Sequence, residues 1–235
     1  MKLKSVTLAL CGLVLSMPVV AEVTGNAELG LLVSTGNTET ETFNTAFNLT
    51  WEEGAWLNES TMSFVLGRDD GTTNSNRFVA GNRTKYSFSE RSYFFGAVRY
   101  DRDKFSSFSY QGSLAFGVGR HLVDTERHRF SVEAGPGFRF AERRDTGETE
   151  NEVILRGLAD YTWTVSDNTE LTNRLLVEAG SDNTFAENVL GLTVAMNARL
   201  ALKAGVSVRH NTDVDPGREK TDTLTTVNLV YNFGS

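Results

Sequence analysis

Twelve segments of this chain, each roughly 10 to 14 residues long, alternate apolar and polar residues with the two-residue period of an extended strand. Strands in water-soluble proteins average about five or six residues, whereas crossing a bilayer as tilted β takes about 9 to 11. Length and period together leave few folds open. From Arg129 to Phe140, one face carries Phe130, Val132, Ala134, Pro136, Phe138 and Phe140, and the other carries Arg129, Ser131, Glu133, Gly135, Gly137 and Arg139. The segments fall at 23–35, 40–52, 56–68, 75–88, 92–102, 109–122, 128–141, 151–164, 169–180, 184–196, 199–210 and 221–233. Two of them, 92–102 and 184–196, have apolar residues on both faces, so their phase stays open.

The N-terminus reads as an export signal. Met1 to Lys4 is basic, an apolar run extends from Val6 to Leu15, and small residues precede a cleavage point after Ala21. The mature chain is thus expected at 22–235 as one domain, and Cys11, the sole cysteine, leaves with the signal at 1–21. Losing Lys2 and Lys4 moves the formal charge from -7 to -9, which argues against a nucleic-acid partner. No later stretch approaches 18 consecutive apolar residues, so a helical membrane span is not expected.

Alternation alone fits a periplasmic sandwich or soluble barrel as well as a membrane barrel. Two further patterns favour the membrane. Connections at Asp69–Asn74, Asp103–Phe108, Glu142–Glu150 and Asn211–Lys220 are long and polar, while those at 53–55, 89–91, 165–168 and 197–198 are short. Long outer loops and tight periplasmic turns are the habit of outer-membrane barrels. Aromatics also sort to one end: Trp51, Trp56, Tyr86, Tyr93, Trp163, Tyr231 and Phe233, with Phe88 beside them, form one expected girdle. Twelve is an even number, as bacterial barrels require. Pro136 sits mid-strand and predicts a local bulge flanked by Gly135 and Gly137.

Several runs resemble a known family. Ser34 to Thr40 (STGNTET), Leu49 to Glu52 (LTWE), Ser89 to Tyr93 (SERSY), Asp124 to His128 (DTERH), Glu133 to Phe138 (EAGPGF) and Val208 to Asn211 (VRHN) resemble the salt-induced outer-membrane proteins of Gram-negative bacteria, known chiefly as a domain of unknown function. The resemblance implies an outer-membrane barrel and a link to salt or osmotic stress. It brings no catalytic or binding residues with it.

With apolar residues facing lipid, ten basic side chains point inward: Arg77, Arg83, Lys85, Arg99, Arg129, Arg139, Arg156, Arg174, Lys203 and Arg209. Glu28, Glu59, Asp101, Glu133, Asp160, Glu170 and Glu178 join them. The opposite assignment would put many of them in lipid at about 2–4 kcal/mol per Lys or Arg near the midplane. Inward glycines at 81, 117, 119, 135, 137 and 205 leave room for a narrow pore or for arginines to cross the lumen. A paired network that plugs the lumen and a small channel leaning towards anions both remain open.

An outer-membrane acyl hydrolase is the rival of another class, since Ser207, His210 and Asn211 lie close together. Ser207 and His210 differ by three positions and so fall on opposite faces of a strand, which removes the serine from the imidazole. His121 and His128 flank a turn without the further ligands a zinc site needs. Asp69-Asp70 and Asp213 with Asp215 place carboxylates in outer loops, where divalent cations could bridge them to lipopolysaccharide phosphates. The expectation is therefore an all-β, transmembrane, antiparallel up-and-down barrel of about 12 strands in the outer membrane. It is not an enzyme, it has no cofactor or metal, and it acts either as a narrow porin-like channel or as a structural barrel. Its expected partners are outer-membrane lipid, lipopolysaccharide and the barrel-assembly machinery.

Overall fold

The computed structural model describes residues 21–34 and 40–234. Apart from Ala21, the segment assigned as a signal, Cys11 included, lies outside the described residues, as does the connection at 35–39. Twelve antiparallel strands close into one barrel in which each pairs with its sequence neighbours and β1 pairs with β12. They are β1 (Glu22–Ser34), β2 (Thr40–Glu53), β3 (Trp56–Asp69), β4 (Thr72–Ser87), β5 (Ser92–Asp103), β6 (Phe108–Asp124), β7 (His128–Arg143), β8 (Thr149–Ser166), β9 (Thr169–Ala179), β10 (Thr184–Ala195), β11 (Leu200–Asn211) and β12 (Thr221–Gly234). The fold is the expected one, strand for strand.

Alternation decides which side chains enter the barrel. Glu59 on β3 lies opposite Arg83 on β4, Arg83 opposite Ala97 on β5, and Glu133 on β7 opposite Leu158 on β8. The same residues line the interior or are buried there, which fixes the phase of every strand they touch. The outer face carries Leu31 at 70 % exposure, Phe116 at 64 % and Val153 at 73 %, values that a water-facing surface rarely tolerates in such number. Trp56, Tyr86, Trp163 and Tyr231 are exposed at the end bearing Glu22, Gly234 and the even-numbered connections, hereafter the turn end. Trp56 packs on Tyr86 at 4.8 Å between ring centres, and Phe233 stacks on Phe47 at 5.7 Å. Trp51 lies beside them, opposite Val23 and Asn58.

Three expectations need correction. Tyr93 does not join the outer ring. Arg99 and Asp101 must face the lumen, and Tyr93, Phe95 and Ala97 share their parity, so the whole odd face of β5 turns inward. Tyr93 is 1 % exposed, its ring covers Gly119, and its hydroxyl donates to Glu133 Oε1 at 3.2 Å.

Nor is there a bulge at Pro136. Ala115 still faces Gly137 and Val118 still faces Ala134, so the register is kept. The two positions between them drop out of the β6–β7 ladder, while pairing with β8 runs through Pro136 opposite Leu155. A gap in one ladder, rather than an inserted residue, accommodates the missing N–H.

The connection expected at Asp69–Asn74 is in fact a two-residue turn, Asp70 and Gly71, both with positive φ (46° and 74°). That is the geometry of the primed hairpin turns, for which Asp-Gly is a favoured pair. The register shift at Gly67/Arg68 fits the remaining residues into longer strands.

At Gly117 and Gly135 the two strands approach so closely that a Cβ on either would run into the other's backbone. Gly135→Ala is therefore expected to destabilise the barrel by roughly 1–3 kcal/mol, as overpacking does. Gly157→Ala, whose added methyl finds only a carbonyl at 4.0 Å, should be neutral. Urea midpoints of the two variants in lipid vesicles check this, and equal midpoints would remove the steric account.

The closing seam is shorter than the other ladders. Among the described residues β1 meets β12 only over Thr24–Leu29 against Leu229–Gly234. Beside it, Asn44 on β2 donates across to Asn228 on β12 at 2.6 Å, Asn228 donates to Glu28 at 2.9 Å, and Lys203 on β11 reaches Glu28 at 2.7 Å. Gly30 lies beneath this clamp, where a Cβ would meet both amides.

Candidate functional site

The inward faces divide the lumen into a charged wall, a neutral wall and a barrier. On the charged wall, Glu133 is the hub. Arg83 Nη1 donates to its Oε1 at 3.1 Å, Arg156 Nη1 to its Oε2 at 2.9 Å, and the carboxylate side chain is 1 % exposed. Arg83 also reaches Glu59 at 2.7 Å and Asp160 at 3.3 Å. Lys85 pairs with Glu59 at 3.2 Å, and Arg174 with Asp160 at 2.6 Å. One guanidinium thus joins three carboxylates from three strands. Phe95, Leu158, Leu176 and Phe185 fill the space around these charges, and Arg156 stacks over Phe95 at 5.0 Å.

Nearer the other end, a second ionic set crosses between opposite walls. Arg77 on β4 grips Asp101 with two bonds (3.1 and 2.7 Å) and reaches Glu187 on β10 at 3.3 Å. Arg99 pairs with Asp101 at 2.9 Å and Glu187 at 3.6 Å while lying over the Phe185 ring at 4.6 Å. Arg209 on β11 pairs with Asp103 at 3.0 Å and Asp222 at 3.3 Å. Five strands lie between β4 and β10 in either direction round the barrel, so these bonds span it.

Below this barrier lies a cavity of about 810 Å³. Asn44, Asn48, Thr61, Ser63, Ser207 and Thr226 give it a mostly neutral hydrogen-bonding wall opposite the charged one, with the Glu28–Lys203 pair set among them. The cavity runs from Asp124 and Arg129 at the turn-end rim up to Arg77, Arg99 and Glu187. Above the barrier lies a void of about 20 Å³, bounded by Asp101, Asp103, Phe108, Arg209 and Asp222.

A roof covers that void. The β11–β12 connection crosses the mouth, where Arg143 on β7 holds Asp213 and also pairs with Asp215 at 3.3 Å. The Asp215 N–H donates to Ser107 Oγ at 2.9 Å, and the Asp213 N–H to Asn183 Oδ1 at 3.1 Å. Arg144 Nη2 ties down the β5–β6 connection through the carbonyls of Asp103 (2.7 Å) and Phe108 (2.9 Å). Asp213 and Asp215, two of the four loop aspartates expected to bridge cations, are thus already engaged by an arginine.

The structure places Arg77, Arg83, Lys85, Arg99, Arg139, Arg156, Arg174, Lys203 and Arg209 on inward faces, with Glu133, Asp160 and Glu178 among them. Arg129 sits at the rim, 63 % exposed, with Glu170 at 3.6 Å. Arg139 is buried against Glu152 and the Asn183 carbonyl, and Ser113 Oγ donates to Glu178 at 2.8 Å.

Besides Asp124 at the rim, sequence reasoning missed the inward acids Asp103, Glu152, Glu187 and Asp222. Parity could have found Asp103, which continues the face of Arg99 and Asp101, and Glu152, which continues that of Arg156 and Asp160, whereas Glu187 lies in the segment 184–196, whose phase the sequence leaves open. Together they remove the basic excess behind the expected lean towards anions. Ser207 faces the lumen, whereas His210 faces out and bonds Thr221 Oγ1 at 2.9 Å. His121 turns inward beside Tyr93 (5.1 Å), while His128 Nδ1 meets the Tyr161 hydroxyl at 2.9 Å.

The family described as "Protein of unknown function, DUF481" matches residues 27–233. The uncharacterised protein YdiY of Escherichia coli (strain K12) is 27% identical over 212 residues, covering 89% of this chain and 82% of that protein. Among solved structures, an outer membrane channel from Pseudomonas putida F1 has a TM-score of 0.51 at 10% identity, over 94% of this chain and 97% of that one. The NanC porin gives a TM-score of 0.48 at 11% identity, over 90% and 97%. The likeness to the Pseudomonas channel concerns the fold alone.

Proposed function

Since the chain belongs to the DUF481 family of proteins of unknown function, we propose its role from its own geometry: a narrow, gated passage for small ions or solutes in a bacterial outer membrane. One observation carries the reading. The 810 Å³ cavity opens at the turn-end rim and ends at a barrier of side-chain ion pairs, beyond which the β11–β12 connection lies over the mouth, held there by side-chain contacts of Arg143, Ser107 and Asn183. Side-chain ion pairs can exchange partners without disturbing the strands that bear them.

The apolar outer face and its aromatic ring support insertion in a bilayer. Outer-membrane lipid, lipopolysaccharide around the loops and the assembly machinery are the partners this reading entails. A role in salt or osmotic stress rests on the sequence resemblance. No enzyme is proposed, because Ser207 and His210 face opposite ways.

The closed barrier also favours a second reading, a structural barrel whose ion pairs hold its walls together. Single-channel recording of the refolded chain under a salt gradient separates the two. Stepwise conductance with little ion preference, as the balanced lumen predicts, supports the passage. A correctly folded but silent barrel overturns it in favour of the structural role.

A further inference from the structure

Two threonines in the lumen stand across from glycines. Thr61 on β3 pairs with Gly81 on β4, and Thr226 on β12 with Gly205 on β11. Thr61 shares the inward parity of Glu59, Thr226 shares that of Asn228, and both line the 810 Å³ cavity. A Cβ at Gly81 would stand 3.1 Å from Thr61 Oγ1, and one at Gly205 would stand 3.0 Å from Thr226 Oγ1. Side chains ordinarily keep a wider distance, so the two glycines leave these hydroxyls bare towards the cavity.

The hydroxyls are not spent within the protein. Thr61, Ser63, Ser207 and Thr226 make no side-chain hydrogen bond among the described residues, and each is half-buried at the cavity wall rather than sealed away. Asn48 Nδ2 donates to Asn26 Oδ1 at 2.8 Å, which leaves the Asn48 amide oxygen open beside Thr61, its cross-strand neighbour. A hydroxyl donates one hydrogen bond and accepts two, so this wall offers donors and acceptors together. Ala46, Val65 and Leu224, inward on the same wall, add apolar surface that a carbon skeleton covers better than water does.

The charges around the cavity are already committed. Arg83, Arg156, Arg174 and Lys203 each hold a carboxylate at 2.6 to 2.9 Å. Glu28, Glu59 and Asp160 are partners in those pairs, while Glu178 is 3 % exposed and accepts from Ser113. An ionic solute would give up its hydration only to find its counter-charge taken and a like charge alongside. A solute with hydroxyls and no charge meets the unspent groups instead.

We propose that this wall is a binding site for small, uncharged, polyhydroxylated solutes, monosaccharides and polyols as a class. The inference deepens the passage reading and rests on it for transport, but the cavity admits a solute from the turn-end rim whether or not the barrier opens.

The test is a saturation-transfer NMR titration of the refolded chain in a sugar-free detergent, with heat-modifiable gel migration reporting the folded barrel. Glucose, gluconate and glucosamine are the probes, alike in size and different in charge. Glucose is expected to bind saturably, and each charged probe to bind about tenfold more weakly or worse. Thr61→Val with Thr226→Val keeps the shape of both side chains and removes their hydroxyls, so glucose binding should weaken roughly tenfold, the loss of two neutral hydrogen bonds. Thr61→Ser with Thr226→Ser returns the hydroxyls and should return the binding. If the double valine chain does not fold, Ser63→Ala with Ser207→Ala removes the other two hydroxyls and should weaken glucose in the same way.

A folded barrel that binds none of the three probes holds only water in its cavity and overturns the proposal, as does one that prefers gluconate or glucosamine. Glucose binding untouched by loss of the hydroxyls also overturns it. Conductance without glucose binding removes the site and leaves the passage reading standing, whereas glucose binding to an electrically silent barrel keeps the site and removes the passage.

Discussion

Glu133→Ala is expected to lower the unfolding free energy of the barrel by about 3–5 kcal/mol, the usual cost of stranding one side of a buried ion pair. The carboxylate accepts from Arg83 at 3.1 Å, Arg156 at 2.9 Å and the Tyr93 hydroxyl at 3.2 Å, with almost no access to solvent. Removing it leaves Arg156 with no carboxylate among its described bonds and Arg83 dependent on Glu59 and Asp160. Glu133→Gln keeps the shape and loses the charge, so it should cost less, about 1–3 kcal/mol. Glu41→Ala is the contrast. That residue meets Arg68 at 3.8 Å with both side chains more than half exposed, and such a pair contributes at most about 1 kcal/mol. Urea titrations in lipid vesicles, followed by tryptophan fluorescence, rank the three. A Glu133→Ala midpoint no lower than that of Glu41→Ala would refute the hub.

Glu187→Gln is the second large effect, on passage rather than on stability. Glu187 is the carboxylate from the far wall that holds Arg77 (3.3 Å) and Arg99 (3.6 Å) across the barrel. Neutralising it frees two guanidiniums from that wall and leaves local positive charge at the level of the barrier. Conductance should rise severalfold and the reversal potential should move towards anions, since charge lining a constriction sets both. Arg77→Gln removes the bridge from the other side, so it should raise conductance while moving selectivity towards cations. Opposite shifts from the two ends of one ion pair would locate the barrier. If neither variant changes conductance or selectivity, ions do not pass between these residues.

Strand phase was legible wherever one face is uniformly apolar. β2 and β11 show it: Phe43, Phe47, Leu49 and Trp51, and Leu202, Val206 and Val208, leave no choice of side. Phase was hidden where the lumen itself is apolar, because Tyr93, Phe95 and Phe185 make both faces of β5 and β10 look alike. The charged inventory was legible residue by residue, but its pairing was not. Arg77 meets Glu187 at a separation of 110 residues and Asn44 meets Asn228 at 184, distances over which alternation carries no information. Turn chemistry explains the other miss. Asp70-Gly71 is a hairpin signal in its own right, obscured by the polar residues on either side of it.

The short seam between β1 and β12 has a kinetic consequence. Its partners, such as Leu29 and Leu229, are 200 residues apart, so this is the contact of highest sequence separation, and loop-closure entropy makes it the last expected to form. Until it does, both edges of the growing sheet expose unpaired backbone, and Asn44, Asn228, Glu28 and Lys203 have no clamp to make. Closure is thereby expected to be a late step. An alanine at Asn228 should slow the appearance of the compact gel form far more than it shortens the lifetime of barrels already shut.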